Sequence, residues 1–361
     1  MLHFLTMLTN PYIEKDPNVI MNALVNVLAA IMNVIMNGVW WMTQNMDWKH
    51  SLGLTIIFTT LVIRVLMLPQ GIQAMKSSQK MRLVQPEVAK IKKKYGNSKD
   101  PEIMRKVNAE TQEVYRKNKI NPLGGCLPLL ITMPIFIAFI DLMRRLPLYL
   151  HKVKDVYIAI HDKLNEIPEI FESGSDIWNI AVTKAPVDVI RAFFDRHGRN
   201  IDIRIAEDFI RFIDKFTDAE WELIKAGVTD PRVLTELEML LQQRENIQTF
   251  VGLNLVNVAG LGWPGIMIPI LSGGTSFLLS YITTKMQPMT DQSAKMNQMI
   301  MMVAMPVMMF VFTINISGGV GVYWIAGNLI AIAQTALLTK FVMKRKNADG
   351  AEIIGTAREK K

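Results

Sequence analysis

Residues Leu52–Leu68 read LGLTIIFTTLVIRVLML, apolar apart from Thr55, Thr59, Thr60 and Arg64. A run of this length and character reads as a helix crossing a lipid bilayer. Four more spans follow outward from it. Leu123–Met143 is a second run, interrupted only by Asp141. Glu245 and Lys285 bracket 39 uncharged residues, too many for one helix of about 20. Gly260, Gly262, Trp263 and Pro264 read as an interfacial approach, leaving a span over 263–284 with its apolar body from Gly265 to Thr284. A further 44 uncharged residues lie between Lys295 and Lys340, broken by NISGGVG at Asn315–Gly321, so two helices joined by a turn are expected.

Val19–Gln44 is a sixth uncharged stretch. Asn22, Asn26, Asn33 and Asn37 fall near one helical stripe, and Trp40 and Trp41 suit a membrane–water boundary. An amphipathic helix lying in the interface is the expectation, with a true span or signal anchor as the alternative. The first residues show neither the basic region of a signal peptide nor a cysteine for lipid attachment.

Of the 361 residues half are hydrophobic and 20% charged, with a net charge of +8, so apolar and charged residues are segregated. Disordered, collagenous and coiled-coil compositions are excluded. Cys126 is the one cysteine, which excludes an internal disulfide and a multi-thiolate metal site. Residues 71–120 hold 13 Lys/Arg against 5 Asp/Glu, residues 151–250 hold 13 against 19, and residues 340–361 hold 7 against 3. Basic loops stay cytoplasmic, so orientation follows. The segments expected are 1–51 with the interfacial helix, 52–70 as the first span, a basic cytoplasmic helical hairpin over 71–121, and a second span over 122–145. An acidic extracytoplasmic helical insert over 146–262 comes next, then spans over 263–284, 296–315 and 316–339. The loop 285–295 and the basic tail 340–361 are cytoplasmic. Arg144 and Arg145 fall on the wrong side for the charge rule, one pair against the 13 basic residues of the hairpin.

In the hairpin, Met81, Val84, Val88, Ile91 and Tyr95 recur at helical spacing, as do Val107 and Val114 after the turn GNSKDP, where Asp100 is a candidate N-cap and Pro101 opens the helix. Lys92, Lys93 and Lys94 are either a solvated face or a docking site for anionic lipid or ribosomal RNA. In the insert, Thr217 and Glu220 have capping-box spacing and Asp230–Pro231 opens a helix. The insert holds no catalytic constellation.

Arg64 carries the most information. A charge inside a span is costly and faces a protein interior or a water-filled cavity, and Thr60 sits one turn earlier on the same face. The alternative is an arginine near the helix end, snorkelling to lipid phosphates. Tyr323, Trp324, Asn328 and Gln334 place polar groups on a broad face of the last span, as groove residues or as ordinary interhelical hydrogen bonds. The fourth span is rich in methionine, from Met296 to Met309, which suits a surface accepting many partners or lipid-facing filler. No P-loop is present, the five histidines never form HExxH, and the GGVG at Gly318–Gly321 follows no strand. No enzyme activity and no cofactor are expected.

LVIRVLMLP at Leu61–Pro69, SSQKMRLVQP at Ser77–Pro86, NPLGGCLPLLITMP at Asn121–Pro134 and GGVGVYWIAGNLIAIAQ at Gly318–Gln334 occur in that order. Together they resemble the YidC/Oxa/Alb family of membrane protein insertases. The resemblance covers about half the chain. It implies an all-α polytopic fold, a five-helix core with a hydrophilic groove open to the cytoplasm and to lipid. Arg64 and Thr60 match the groove residues, and Thr132 stands where members often carry Gln. The implied function is an insertase or chaperone of the bacterial plasma membrane, moving transmembrane segments into lipid without ATP, with its C-terminus cytoplasmic. Implied partners are nascent membrane proteins, the ribosome through the hairpin and tail, membrane lipids, and the Sec translocon as a candidate. The insert is longer than the family's usual loop, and the large domain that Gram-negative members place before the first core span has no counterpart. A transporter or channel for an anionic solute is the competing reading. It predicts inverted repeats, and no internal repeat is visible.

Overall fold

The computed structural model describes residues 19–43, 49–96, 100–120, 127–167, 180, 210, 213–214, 216–286 and 292–349. Residues 121–126 of the NPLGGCLP segment, much of the acidic insert and the tail beyond 349 lie outside the described residues, as do the side chains of Met296 and Met301. The described chain is mostly helical. In order come α1 (Val19–Thr43), α2 (Ser51–Leu66), α3 (Leu68–Tyr95), α4 (Pro101–Lys117), α5 (Leu127–Arg144), α6 (Leu146–Tyr149) and α7 (His151–Leu164). After the insert's middle follow α8 (Asp218–Ala226), α9 (Pro231–Gln248), a ribbon of β1 (Thr249–Phe250) and β2 (Leu253–Asn254), then α10 (Met267–Met286), α11 (Gln292–Ile314) and α12 (Gly318–Asp349).

Among the described residues two helices, Val19–Thr43 and Gly318–Leu338, are long and apolar enough to cross a membrane. A third candidate is the bent pair Ser51–Leu66 and Leu68–Ser77. Five spans are expected from the sequence; the described residues of the remaining helices read as follows. α10 dilutes its apolar residues with Ser272, Gly273, Gly274, Thr275 and Ser276, and in α11 the stretch Met302–Ile314 is apolar among the described residues. The first span is cut short. Met67 departs from ideal helix values at φ −88°, ψ 0°, Pro69 brings no N–H, and the chain turns by 55° into α3. Sixteen residues of α2 give a rod of about 24 Å, less than the ~30 Å of a hydrocarbon core.

The chain divides into two compact units. One comprises Met1–Thr59, Pro134–Val258 and Ser317–Val320, the other Thr60–Met133, Ala259–Ile316 and Gly321–Lys361. In the first unit α7 packs on α9 through Val153, Val156, Tyr157, Ile160 and Leu164, all buried. The Tyr157 hydroxyl donates to Asp214 Oδ1 at 2.7 Å and accepts from Gln248 Nε2 at 3.1 Å. A capping box starts α8, with Glu220 N–H donating to Thr217 Oγ1 and Thr217 N–H donating to Glu220 Oε2. Asp230 caps α9 and Pro231 occupies its first turn. Asn33, midway along α1, accepts from His151 N–H at 2.9 Å and donates to the Tyr149 carbonyl at 2.8 Å, clasping the break between α6 and α7. The tip of the ribbon is held in the same unit. Val251 sits at φ +52°, strained for a β-branched residue, with its N–H bonded to His50 Nδ1 at 3.2 Å. Phe250 lies against Gly53, where a side chain has no room.

In the second unit α3 and α4 pack around Val84, Val88, Val114 and Ile120, with Met81, Ile91 and Tyr115 against them. Asp100 caps α4 by accepting from Glu102 N–H at 2.8 Å. α10 and α11 pack closely at Gly273, whose Cβ would stand 3.3 Å from Phe310 Cβ.

Candidate functional site

Arg64 lies on the last turn of α2, one turn after Thr60, which is 1% exposed. Four residues of helix advance about 6 Å, so the hydroxyl and the guanidinium share one face. Among the described residues no acidic side chain pairs with Arg64, and Tyr323 lies within its electrostatic range. A Cβ on Gly327 would stand 3.1 Å from Arg64 Nη2 and 3.8 Å from Thr60 Cγ2, so the guanidinium rests against bare backbone of α12. Gln334 Nε2 donates to the Arg64 carbonyl at 3.3 Å, at the point where α2 ends. Tyr323, Gly327 and Gln334 therefore meet one arginine from one face of α12. At about 100° per residue, Gln334 stands some 20° around the helix from Tyr323 and some 80° from Trp324.

Trp324 and Asn328 turn elsewhere. Trp324 Nε1 donates to Ser276 Oγ at 2.9 Å on α10. The side-chain amide of Asn328 lies 2.9 Å from Ser276 Oγ and 3.1 Å from Thr275 Oγ1, and the donors around it place its oxygen there as acceptor. The four polar residues of the last span thus separate into an arginine-facing set, Tyr323 and Gln334, and a pair bonded to α10, Trp324 and Asn328. Thr132 is partly exposed on α5. Ser276 and Gly327 are what sequence reasoning missed. Ser272, Thr275 and Ser276 recur at helical spacing on one apolar span, a signal for a polar interhelical seam. Gly327 signals itself only as a glycine inside a helix, where alanine is the more stable residue.

The lysine run of the hairpin is divided. Lys94 donates to Glu110 Oε1 at 3.1 Å and lies 4.8 Å from the Tyr95 ring centroid, and both it and Lys93 are exposed. Tyr95 also donates to Glu110, and these bonds hold the Glu110 carboxyl below and the Lys94 ammonium above their usual ranges. Just past the end of α5, Arg145 pairs with Asp141 of that helix, so half of the Arg144–Arg145 pair is neutralised locally.

Residues 41–182 and 228–346 match the family model described as 60Kd inner membrane protein, well over half of the chain. The chain belongs to this family, the YidC/Oxa/Alb family. The family's membrane protein insertase YidC from Oceanobacillus iheyensis is 41% identical over 109 residues, 30% of this chain and 43% of the relative. The YidC of Fusobacterium nucleatum is 42% identical over 94 residues, 26% of this chain and 43% of the relative. Membrane protein insertase MisCA of Bacillus subtilis is 45% identical over 93 residues, 26% of this chain and 35% of the relative. The matched stretch spans less than half the length of these relatives. The family match passes over residues 183–227, so the part of the insert foreign to the family is that middle stretch; its flanks, including α7 and α9, fall within the match. The apolar helices and the family together make this a multi-pass membrane protein.

Proposed function

We propose that this chain is a membrane protein insertase that passes transmembrane segments from the cytoplasm into the bilayer through a hydrophilic groove carrying Arg64. The observation that carries the reading is Arg64 itself: a guanidinium near the end of an apolar helix, seated on α12, with no acidic partner among the described residues. Such a charge attracts the acidic or polar flank of a substrate. Tyr323, Thr60, Thr132 and Gln334 are its groove companions, and Trp324 and Asn328 fix α12 to α10 beside it.

Magnitudes divide the labour. About 20 apolar residues entering hydrocarbon contribute on the order of 6–12 kcal/mol on the insertion scale. One charge pair at ~4 Å contributes about 4 kcal/mol at an effective dielectric near 20. Burial drives insertion without ATP, and Arg64 selects the flank. The short α2 supports this by requiring less hydrocarbon to be crossed.

In the membrane, the α3–α4 hairpin and the C-terminal tail are cytoplasmic and meet the ribosome, lipid headgroups or a Sec translocon, while the insert is extracytoplasmic. α1 lies along the outer surface although it is long enough to cross. Its C-terminus meets the start of α2, where Thr43 Oγ1 lies 3.3 Å from Ser51 Oγ. A perpendicular α1 would place Asn33, ten residues earlier, about 15 Å deeper. Asn33 is bonded to the start of α7, where His151 and Asp155 are exposed, and Lys152 lies 5.5 Å from the Trp40 ring centroid. Charges of that kind do not sit in hydrocarbon.

The test places a photo-crosslinker at Thr60 or Tyr323 during translation of single-spanning substrates with acidic, neutral and basic flanks. Nascent chains are expected to crosslink at both positions, and Arg64→Ala is expected to slow insertion of the acidic-flank substrates most. Absence of crosslinks, together with unchanged insertion of every substrate by Arg64→Ala, sinks the groove mechanism.

A further inference from the structure

Glycine inside a helix is less stable than alanine, and Gly327 stands ten residues into α12. Position 327 is not occupied by glycine for backbone freedom, since its geometry is helical and it lies outside the left-handed region. It is also not closed off by a neighbouring backbone, as Gly265 is by the Ala259 carbonyl. The atoms nearest to where its side chain would stand are the Arg64 Nη2 at 3.1 Å and Nε at 3.8 Å, with the Thr60 methyl at 3.8 Å. The missing side chain is filled by a guanidinium.

Resting on the insertase reading, we propose that Gly327 is the positioning residue of the groove arginine, and that side-chain size at 327 sets how strongly the groove discriminates acidic flanks. The physical argument concerns where the charge goes. With Gly327, the guanidinium lies against α12, one turn from Tyr323, while Gln334 holds the carbonyl of the same residue. The arginine is gripped at both its tip and its root by one helix face, so its charge stays at groove depth. A methyl at 327 demands a shift of a few tenths of an ångström, which a long side chain can supply. A branched side chain takes the seat altogether. The guanidinium then swings along its flexible stem toward the end of α2, three residues from the bend at Met67, where water and phosphates receive it. The groove keeps its arginine in sequence and loses it in position.

Two measurements on the full-length protein in membranes test this. The first is phenylglyoxal modification of Arg64, read by mass spectrometry of the peptide containing it. Gly327→Ala is expected to raise the rate above wild type and Gly327→Leu to raise it further. Equal rates in all three proteins overturn the seat whatever Arg64 does for substrates. The second is the ratio of insertion efficiencies for acidic and neutral flanks. Gly327→Leu is expected to lower it to the value of Arg64→Ala, Gly327→Ala to fall between, and Arg64→Ala/Gly327→Leu to match Arg64→Ala alone. Effects that simply add in the double variant indicate a packing defect, and overturn the positioning role. If modification rises in the series while Arg64→Ala changes no substrate's insertion, the seat stands and the insertase groove falls. Should Gly327→Leu fail to accumulate, Gly327→Ala, which favours the helix, decides both measurements.

Discussion

At the residue scale, the last span divides its polar side chains by angle. Trp324 and Asn328 converge on Ser276, a buried hydroxyl on α10, while Gln334 reaches the carbonyl of Arg64. Within a bilayer such interhelical bonds average well below 1 kcal/mol, with upper values near 2. The loss is larger when one partner stays buried and unsatisfied. Ser276→Ala removes the partner of two groups at once, and is expected to destabilise the α10–α12 contact by about 1–2 kcal/mol. Ser276→Ala/Asn328→Leu, which removes acceptor and donor together, should recover part of that loss. Thermal unfolding in detergent micelles measures both. A Tm for Ser276→Ala equal to wild type shows that the seam contributes nothing. The sequence places all these residues on one helix, yet their division was not legible there, because Trp324, Asn328 and Gln334 fit a broad face until the partners across the interface are known.

At the element scale, the insert is anchored by a phenol with nowhere to ionise. Burial, with Asp214 beside it, pushes the Tyr157 hydroxyl well above the ordinary tyrosine value. The raised value favours the neutral form in the fold. Its contribution to stability is therefore full below about pH 10, where an unfolded tyrosine ionises, and is lost as pH climbs toward the folded value. Absorbance titration at alkaline pH should show Tyr157 missing from the tyrosines that ionise in wild type, until the α7–α9 packing gives way and it ionises abruptly. Tyr157→Phe should lack that step and be less stable at neutral pH, having lost its bonds to Asp214 and Gln248. Smooth ionisation of Tyr157 with the helices intact contradicts the reading. The caps of α4, α8 and α9 were legible in the sequence because a cap is a local contract between Asp or Thr and the N–H groups two or three residues on. The Asn33 clasp was not, since its partners lie more than a hundred residues away.

At the scale of the whole molecule, the sidedness of α1 and the insert is the open geometry with the largest consequence. In a Cys126→Ser background, single cysteines at Val19, 79% exposed at the start of α1, and at the exposed Asp218 of the insert report it. A membrane-impermeant maleimide applied to intact spheroplasts is expected to label both. Labelling of residue 218 alone, with residue 19 protected until the membrane is opened, makes α1 a span and places its start in the cytoplasm. Labelling of neither puts the insert on the cytoplasmic side and reverses the orientation read from the basic loops.

The sequence by itself determined the class of molecule. Charge segregation, apolar runs and the ordered family segments around Arg64 and Pro134 depend on composition and spacing along the chain, and fixed a helical multi-pass membrane protein of the YidC/Oxa/Alb family. Tertiary structure decided which groups meet. Gly327 became the floor under Arg64, Ser276 the partner of Trp324 and Asn328, and an interior asparagine of α1 a clasp for the first residues of α7. The reason is physical. Hydrophobic burial is set by how many apolar residues a segment holds, which a sequence states outright, whereas a hydrogen bond or a guanidinium's resting place depends on tenths of an ångström between helices that only packing supplies.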